Sequence, residues 1–378
     1  MSSSDREGPN ASEAAPPHGG DVAAPSPDRA PPGLRALAPL RGPDEAVLHV
    51  GVDENGLGPL LGPLVVTGVA FRVRGERPRS LGALVGDSKA LVAHGDVSLG
   101  EAWARALLGA LGPEPTTPAE VVARLSIDDE LARLAPCPAR ERPRDASHPS
   151  AMCWPVEPEA FQADEALVER CRAFVRGWGS TGRVAGRVGG RFARKAAIEL
   201  VGVRAALICA HRLNQADDEG RNKLLVDLRQ MERVALDLHA SGTRDGEPID
   251  AVCGKVGGMN FYPQYFEALS GRLCAVEAEG RAISAYRFPG LGRFSWVRDA
   301  DGNDPLVGLA SLVGKYLREL AMERIVRFLR AAHPGSDAGL ELPAASGYRD
   351  PTTRRLVSAS TLARQARGVP DRCFLRNK

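Results

Sequence analysis

The chain lacks any cysteine arrangement that would define a metal-binding or redox motif. Its seven cysteines, an odd number, are scattered between Cys137 and Cys373, with no CxxC pair and no histidine at zinc-site spacing. The pattern therefore does not indicate a disulfide-rich secreted scaffold or a zinc-binding fold. Reduced thiols in a cytoplasmic protein are the expectation.

Long apolar runs are also absent. No stretch approaches the roughly 20 apolar residues of a transmembrane helix, so we expect no membrane association. The first residues contain Asp5 and Glu7 and no apolar core, unlike a secretory signal peptide. These features again favour a cytoplasmic location, and we expect a monomer.

The chain has almost no net charge, because 49 Lys and Arg are balanced by 47 Asp and Glu to give a formal charge of +2. A nucleic-acid surface would therefore have to be a local basic patch. One candidate is the strip Arg176–Lys195, in which basic residues alternate with glycine and aromatic side chains and no acid occurs. Such a strip suits contact with a phosphate backbone, although a solvated basic loop has the same composition.

Composition divides the chain into a tail and one domain. Residues 1–44 are rich in Pro, Ala, Ser and Gly, and they contain too few large apolar residues to offset the entropy of ordering. We predict a disordered tail there and a single folded domain at residues 45–378. Proline-rich sequence with little periodicity at about 113–195 indicates an insertion in that domain.

The most informative stretch begins at Val47. An apolar run rich in β-branched residues predicts a buried strand that leads to Asp53 and Glu54. Two Gly-Pro pairs follow, and a second apolar run from Leu64 predicts a neighbouring strand. Gly56 and Gly58 bring bare backbone close to the two carboxylates, as a loop must when its N–H groups contact a phosphate or a sugar.

These residues resemble the opening motif of the type 2 ribonuclease H family, which runs Asp-Glu-Ala-Gly-Arg-Gly-Pro followed by Gly-Pro and a strand. Three further segments, at Asp87-Ser88-Lys89, at Asp301 with the helix carrying Lys315, and at Ser346-Gly347-Tyr348, match family motifs in the same order. The resemblance covers about residues 46–112 and 196–356. It implies an α/β fold, namely a ribonuclease H-like mixed sheet flanked by helices with a C-terminal helical extension.

The resemblance also implies an activity. The family cleaves the RNA strand of RNA–DNA hybrids with Mg²⁺ or Mn²⁺, so the expected partner is such a hybrid or a ribonucleotide-containing duplex. By resemblance, Asp53, Glu54 and Asp301 are the catalytic metal ligands, since hard divalent cations prefer carboxylate oxygens.

The residues implied to contact the nucleic acid lie in the loop and in the other matched motifs. The glycine loop would place its N–H groups against the ribose 2′-hydroxyl, which distinguishes RNA from DNA. These substrate-binding residues are Asn55, Gly56, Gly58, Lys89, Lys255 and Tyr348.

Two departures separate this chain from the family pattern. Leu57 stands where the family has an arginine between the loop glycines. The third family aspartate, at the end of the strand containing Ala251, is replaced by Cys253, Gly254 or Lys255, depending on which glycine is matched. The alternative function is therefore a catalytically degenerate ribonuclease H-like protein that binds nucleic acid without cutting it.

Lys255 is the only charged residue among the three candidates for that position. An ammonium there could neutralise Asp53 or Asp301 and replace one metal ion, or it could bind the scissile phosphate. Asp250 lies about 16 Å from Lys255, at the other end of the strand, so it is no substitute.

Overall fold

A computed structural model of the chain describes most of the sequence from residue 45 onwards. The described residues are 34, 37–42, 45–74, 77, 81, 85, 91, 96–128, 154, 159–179, 197–242, 244, 246–331 and 342–377. Among them no helix is long and apolar enough to cross a membrane. The five described cysteines are free thiols.

Seven strands form one mixed sheet in the order β3-β2-β1-β4-β7-β6-β5. Strands β1, β2 and β3 are antiparallel neighbours, whereas β1, β4 and β7 run parallel. The strands are β1 (Ala46–Asn55), β2 (Leu64–Arg74), β3 (Ala197–Ile208), β4 (Ile249–Gly254), β5 (Ala275–Glu279), β6 (Ile283–Phe288) and β7 (Gly292–Val297).

Helices cover both faces of this sheet and extend beyond it at the C-terminus. This agrees with the predicted fold class, a mixed sheet flanked by helices with a C-terminal helical extension. The helices are α1 (Ser98–Leu111), α2 (Pro118–Leu125), α3 (Glu165–Gly179), α4 (Ala210–Asp218), α5 (Lys223–Gly242), α6 (Ala300–Asn303), α7 (Pro305–Arg330), α8 (Pro351–Ala359), α9 (Thr361–Ala366) and α10 (Asp371–Phe374).

The sheet separates two apolar cores. On one face, α1, α3 and α7 pack against β2 and β3, with Trp103 stacked on Trp178 at a ring-centroid distance of 5.6 Å. On the other face, α5 presents Leu228, Met231 and Val234 to β1 and β4. Helices α2 and α3 lie within the predicted insertion, and both contribute buried side chains to the first core.

Helix α7 crosses β1 at very short range. A Cβ atom built on Gly51 would lie 2.3 Å from the backbone carbon of Leu306, so only glycine allows this approach. Nearly all of α7 is buried, including Leu306, Leu309 and Val313. Each such side chain contributes about 1.5–3 kcal/mol through removal of apolar surface from water.

A buried charge pair fixes the start of α7. Asp304 caps the helix by accepting hydrogen bonds from the backbone N–H groups of Leu306 and Val307. Arg77 donates to both oxygens of Asp304, at 2.6 Å and 3.0 Å, and also to the carbonyl oxygens of Val50 and Asp250. The pair therefore ties the helix to β1 and β4, immediately after the segment that carries Asp301.

Candidate active site

The parallel register brings three strand ends to one edge of the sheet. Val52 of β1 pairs with Cys253 of β4, and Gly254 pairs with Val297 of β7. Asp53 is therefore level with Gly254, and the chain leaving β7 reaches Asp301 four residues later. Carboxyl ends of parallel strands are where α/β sheets generally place their ligand sites.

Asp53 and Glu54 converge on the end of β4. A Cβ atom built on Gly254 would lie 2.8 Å from Asp53 Oδ1 and 3.2 Å from Glu54 Oε2. Of the three candidates for the position of the third family aspartate, Gly254 is thus the one that faces these carboxylates. Cys253 is instead buried in the core beside α5.

Charge repulsion and burial dominate the chemistry of Asp53. Burial raises the pKa of its carboxyl well above the usual range, and the negative charges of Glu54 and Asp301 raise that pKa further. The Ser311 hydroxyl of α7 donates a hydrogen bond to Asp53, which opposes the shift. Asp301 lies in α6, and its effect on Asp53 shows that the structure brings the two acids into one electrostatic cluster.

The donor set fits a hard divalent cation. Within the described ranges no three His, Cys, Asp or Glu side chains are already arranged as a metal-binding group. However, the absence of a side chain at Gly254 lets the carboxylates of Asp53 and Glu54 approach the end of β4 closely. The acids at this strand end repel one another, and carboxylate oxygens are the ligands that Mg²⁺ and Mn²⁺ prefer.

The raised pKa of Asp53 predicts that the metal-free protein loses stability as pH increases. A carboxyl whose pKa is higher in the folded than in the unfolded state stabilises the fold while protonated, and this contribution is lost as pH rises through the raised pKa. The loss is about 1.4 kcal/mol for each pH unit across which only the folded state holds the proton. Thermal unfolding in EDTA should therefore show a flatter pH profile for Asp53→Asn than for wild type, and superimposable slopes would contradict the prediction.

Lys255 is directed away from the carboxylates. Its Nζ atom donates hydrogen bonds to the carbonyl oxygen of Gly280 and, at 3.2 Å, to Ser284 Oγ, both at the β5–β6 side of the sheet. Burial and the nearby Arg298 cation lower the pKa of Lys255. The structure thus gives this ammonium a local role at the β5–β6 turn and does not bring it to Asp53.

The glycine loop adjoins the two acids. Gly56 has a φ angle of 92°, which favours glycine, and a Cβ atom there would lie 2.6 Å from Arg318 Nε. Leu57 is half-buried and packs on the core beside α5, whereas Gly58 is exposed to open space. Asn55 Nδ2 donates to the Ser311 carbonyl oxygen at 3.3 Å and so links the loop to α7.

Tyr348 lies beside this loop, although it is far away in the sequence. The backbone N–H groups of Leu60 and Leu61 both donate to the carbonyl oxygen of Gly347. The Arg318 guanidinium sits over the Tyr348 ring at 5.0 Å and donates to the Ser346 carbonyl oxygen. Tyr348 remains 44% exposed, so its ring is available to a ligand bound at the loop.

Arg376 anchors the glycine loop through hydrogen bonds to the loop backbone. Its guanidinium donates to the carbonyl oxygens of Gly56 and Gly62, and its backbone N–H donates to the Leu60 carbonyl oxygen. Burial lowers the pKa of Arg376 to about 9, and the neighbouring Arg318 cation adds to the effect. The C-terminal residues are therefore part of the loop's support.

Removal of the Arg376 side chain should loosen the loop. Arg376→Ala leaves two buried carbonyl oxygens without their donors, which costs about 1–3 kcal/mol for each group. We expect a clear drop in melting temperature and faster amide exchange at residues 56–62. Arg372→Ala is the matched control, because that arginine is exposed and pairs only at the surface with Asp218. Equal melting temperatures for the two variants would show that Arg376 does not hold the loop.

Two sequence-based candidates lie outside the described residues. They are Lys89, with the rest of the Asp87-Ser88-Lys89 segment, and most of the basic strip Arg176–Lys195. Both stay predictions.

Three residues that the sequence alone did not identify contribute to this region. Arg318 and Arg376 support the glycine loop, and Asp227 of α5 is a buried acid that interacts electrostatically with Asp53. Asp227 interrupts the apolar face of its helix between Leu224 and Leu228, which is the one signal that could have found it. The two arginines carry no such signal, because their partners are backbone carbonyl oxygens far away along the chain.

With this geometry established, the chain can be compared with known proteins. No protein-family model and no curated protein matches it. Several solved structures do match the chain. The PCNA:RNase HII complex from Archaeoglobus fulgidus contains a chain with 16% identity and a TM-score of 0.37, and the alignment covers 88% of this chain and 98% of that one.

Two further solved structures are similar to the same extent. Bst-RNase HIII in complex with Mn²⁺ has 13% identity and a TM-score of 0.38, over 87% of this chain and 66% of that one. Ribonuclease H2 from Pyrococcus horikoshii OT3 has 12% identity and a TM-score of 0.31, over 83% and 99%. All are ribonucleases H of the kind that the motifs indicated, and the low values agree with a divergent resemblance. TM-scores and identities this low support no statement about function, so the roles of the site residues depend on the geometry of this chain alone.

Proposed function

We propose that the protein is a metal-dependent endonuclease that cleaves the RNA strand of RNA–DNA hybrids. The observation that carries this proposal is the convergence of Asp53 and Glu54 on Gly254 at the end of β4, with the charge of Asp301 acting on Asp53. An exposed tyrosine and a glycine loop adjoin the same acids. Together they combine a cation site with a surface for a ribose and its neighbouring base.

Each residue has a defined task in this proposal. Asp53, Glu54 and Asp301 would hold Mg²⁺ or Mn²⁺, and the chemistry that such an ion supplies is activation of water and stabilisation of the departing 3′ oxygen. Gly56 and Gly58 leave the loop backbone open to a 2′-hydroxyl. Ser311 orients Asp53 through its hydrogen bond, and Asn55 anchors the loop to α7.

A panel of four labelled duplexes tests the proposal directly. Wild-type protein with Mg²⁺ or Mn²⁺ should cut an RNA–DNA hybrid, and the fragments should carry 3′-hydroxyl and 5′-phosphate ends. A DNA–DNA duplex of the same sequence should stay intact, because it offers the loop no 2′-hydroxyl, and an RNA–RNA duplex shows whether the paired strand must be DNA. A DNA duplex with a single ribonucleotide, the fourth substrate, shows whether one 2′-hydroxyl is sufficient.

Two observations favour the alternative function, a non-catalytic nucleic-acid-binding protein. The strand position that faces Asp53 is Gly254, which carries no acid. Leu57 packs against the core, whereas an arginine at this loop position could contact phosphate. Hybrid binding without cleavage of any duplex in either metal ion would support this second function and overturn the first.

Tyr348 is expected to contribute to hybrid affinity under both functions. An exposed aromatic ring that stacks on a sugar or a base is worth about 1–3 kcal/mol, so Tyr348→Ala should weaken hybrid binding by roughly tenfold. Tyr265→Ala is the control, because this tyrosine is similarly exposed, at 39%, but lies in the short helix at Pro263–Tyr265. Fluorescence anisotropy with a labelled hybrid in Ca²⁺ provides the measurement. Equal affinities for the two variants would exclude Tyr348 from the binding surface.

A further inference from the structure

Asp227 is a buried acid with no evident structural purpose. Its side chain is 0% exposed, and neither carboxylate oxygen has a hydrogen-bond partner among the described residues. A buried carboxylate without partners is costly, so side chains of this kind are normally hydrogen-bonded, paired or bound to a metal ion. Glu232, further along α5, shows the usual solution, because it accepts hydrogen bonds from the backbone N–H groups of Glu267 and Leu269.

The helix face that carries Asp227 is directed at the end of β4. Leu224 lies three residues earlier and Met231 four residues later, so all three share one face of α5. A Cβ atom built on Gly254 would lie 4.0 Å from the methyl carbon of Met231, and one on Gly257 would lie 3.1 Å from Leu224. Asp227 is thus bracketed by two residues that contact the strand end and the loop beyond it.

The carboxylate of Asp227 also lies within electrostatic reach of the site. The Asp53 charge raises the pKa of Asp227 beyond the effect of burial alone. Cys253, the residue next to Gly254, has its pKa raised by burial and by the charges of both Asp227 and Asp53. The acid on α5 and the acid on β1 therefore face the same strand end from two different elements.

We infer that Asp227 completes the cation site, as a helix-borne replacement for the acid that the end of β4 lacks at Gly254. The inference rests on the cation site proposed above. Gly254 carries no side chain, and α5 supplies a carboxylate from the helix face that also brings Met231 close to Gly254. Buried charges of like sign are brought together without partners where a bound cation offsets their repulsion.

Binding of Mn²⁺, measured by electron paramagnetic resonance without nucleic acid, tests this role independently of catalysis. Asp227→Asn keeps the shape of the side chain and should weaken Mn²⁺ affinity by at least about tenfold. Asp237→Asn, at a partly exposed acid on the same helix that pairs with Arg204, should leave that affinity unchanged. Glu232→Gln, a buried acid with satisfied oxygens, should do the same. Circular dichroism melting in EDTA verifies that each variant is folded, and Asp227→Asn should melt no lower than wild type.

A compensating substitution tests the replacement itself. Gly254→Asp places a carboxylate beside Asp53 Oδ1 and Glu54 Oε2, whose flexible ends can shift to accommodate it. In the Asp227→Asn background, this change should restore Mn²⁺ affinity to within about threefold of wild type. A double variant as weak as Asp227→Asn alone would show that Asp227 does not stand in for the strand acid.

The outcomes separate this inference from the proposed nuclease function. If the wild type cuts hybrids and Asp227→Asn binds Mn²⁺ as tightly as wild type, the inference is overturned and the function stands. If Mn²⁺ affinity depends on Asp227 but no duplex is cut, the inference is supported and the nuclease function fails. A wild type that binds no Mn²⁺ overturns the inference.

Discussion

Asp53→Asn is expected to lower the rate of hybrid cleavage by at least about a thousandfold. Asp53 is the acid on which the charges of Glu54 and Asp301 act, so its loss removes the centre of the proposed cation site. Metal ions contribute several kcal/mol of charge stabilisation to such a transition state, and each 1.36 kcal/mol is a factor of ten in rate. Single-turnover cleavage of a labelled hybrid gives the rate for each variant.

The melting temperature distinguishes the loss of a metal-ligating side chain from damage to the fold. The Asp53→Asn substitution places a neutral amide in a buried site where the Asp53 carboxylate experiences repulsion, so this variant should melt at the same temperature as wild type in EDTA or higher. Asp237→Asn, at a partly exposed acid on α5 that pairs with Arg204, should retain the full cleavage rate. If Asp53→Asn cleaves as fast as wild type, the acids at this sheet edge are not the catalytic site.

Asp304→Ala is expected to cause the largest loss of stability, about 3–5 kcal/mol in the free energy of unfolding. The substitution removes the cap of α7 and leaves the Arg77 guanidinium with only the more distant carboxylate of Asp250, at 3.9 Å, and removal of one partner of a buried pair costs this much. Because α6 and Asp301 directly precede the cap, the cleavage rate should also fall. Urea denaturation measures the free energy.

Two substitutions provide the comparison for Asp304→Ala. Asp304→Asn keeps a capping oxygen and should lose less stability than the alanine variant. Asp299→Asn changes an exposed side chain of the same segment, at a φ angle of 52° that asparagine tolerates, and should stay within about 0.5 kcal/mol of wild type. An Asp304→Ala protein with the urea midpoint of Asp299→Asn would contradict the role given to the pair.

The elements around Asp53 and Asp301 were predictable because their signals are local. The apolar run before Asp53, the Gly-Pro pairs and the long apolar period after Asp304 each specify a strand, a turn or a helix within a few residues. β1, β2 and α7 occur where these patterns place them. The structure adds the register that makes Asp53 level with Gly254.

The residues around the end of β4 could not be assigned from the sequence, since their roles depend on side-chain direction. Cys253, Gly254 and Lys255 are consecutive, and a shift of one residue in a strand sends a side chain to the other face. Only the pairing of Val52 with Cys253 shows that Gly254 faces the acids. Asp227 interacts electrostatically with Asp53 from a helix, a relation that no spacing along the chain encodes.

The most direct test is an anomalous difference map from crystals of the protein soaked in Mn²⁺. We expect a peak among the carboxylates of Asp53, Glu54 and Asp301, beside Gly254. We also expect that Asp53→Asn crystals treated in the same way lack that peak. A map with Mn²⁺ bound elsewhere, or a peak that persists in Asp53→Asn, would contradict the claim that these acids form a divalent cation site.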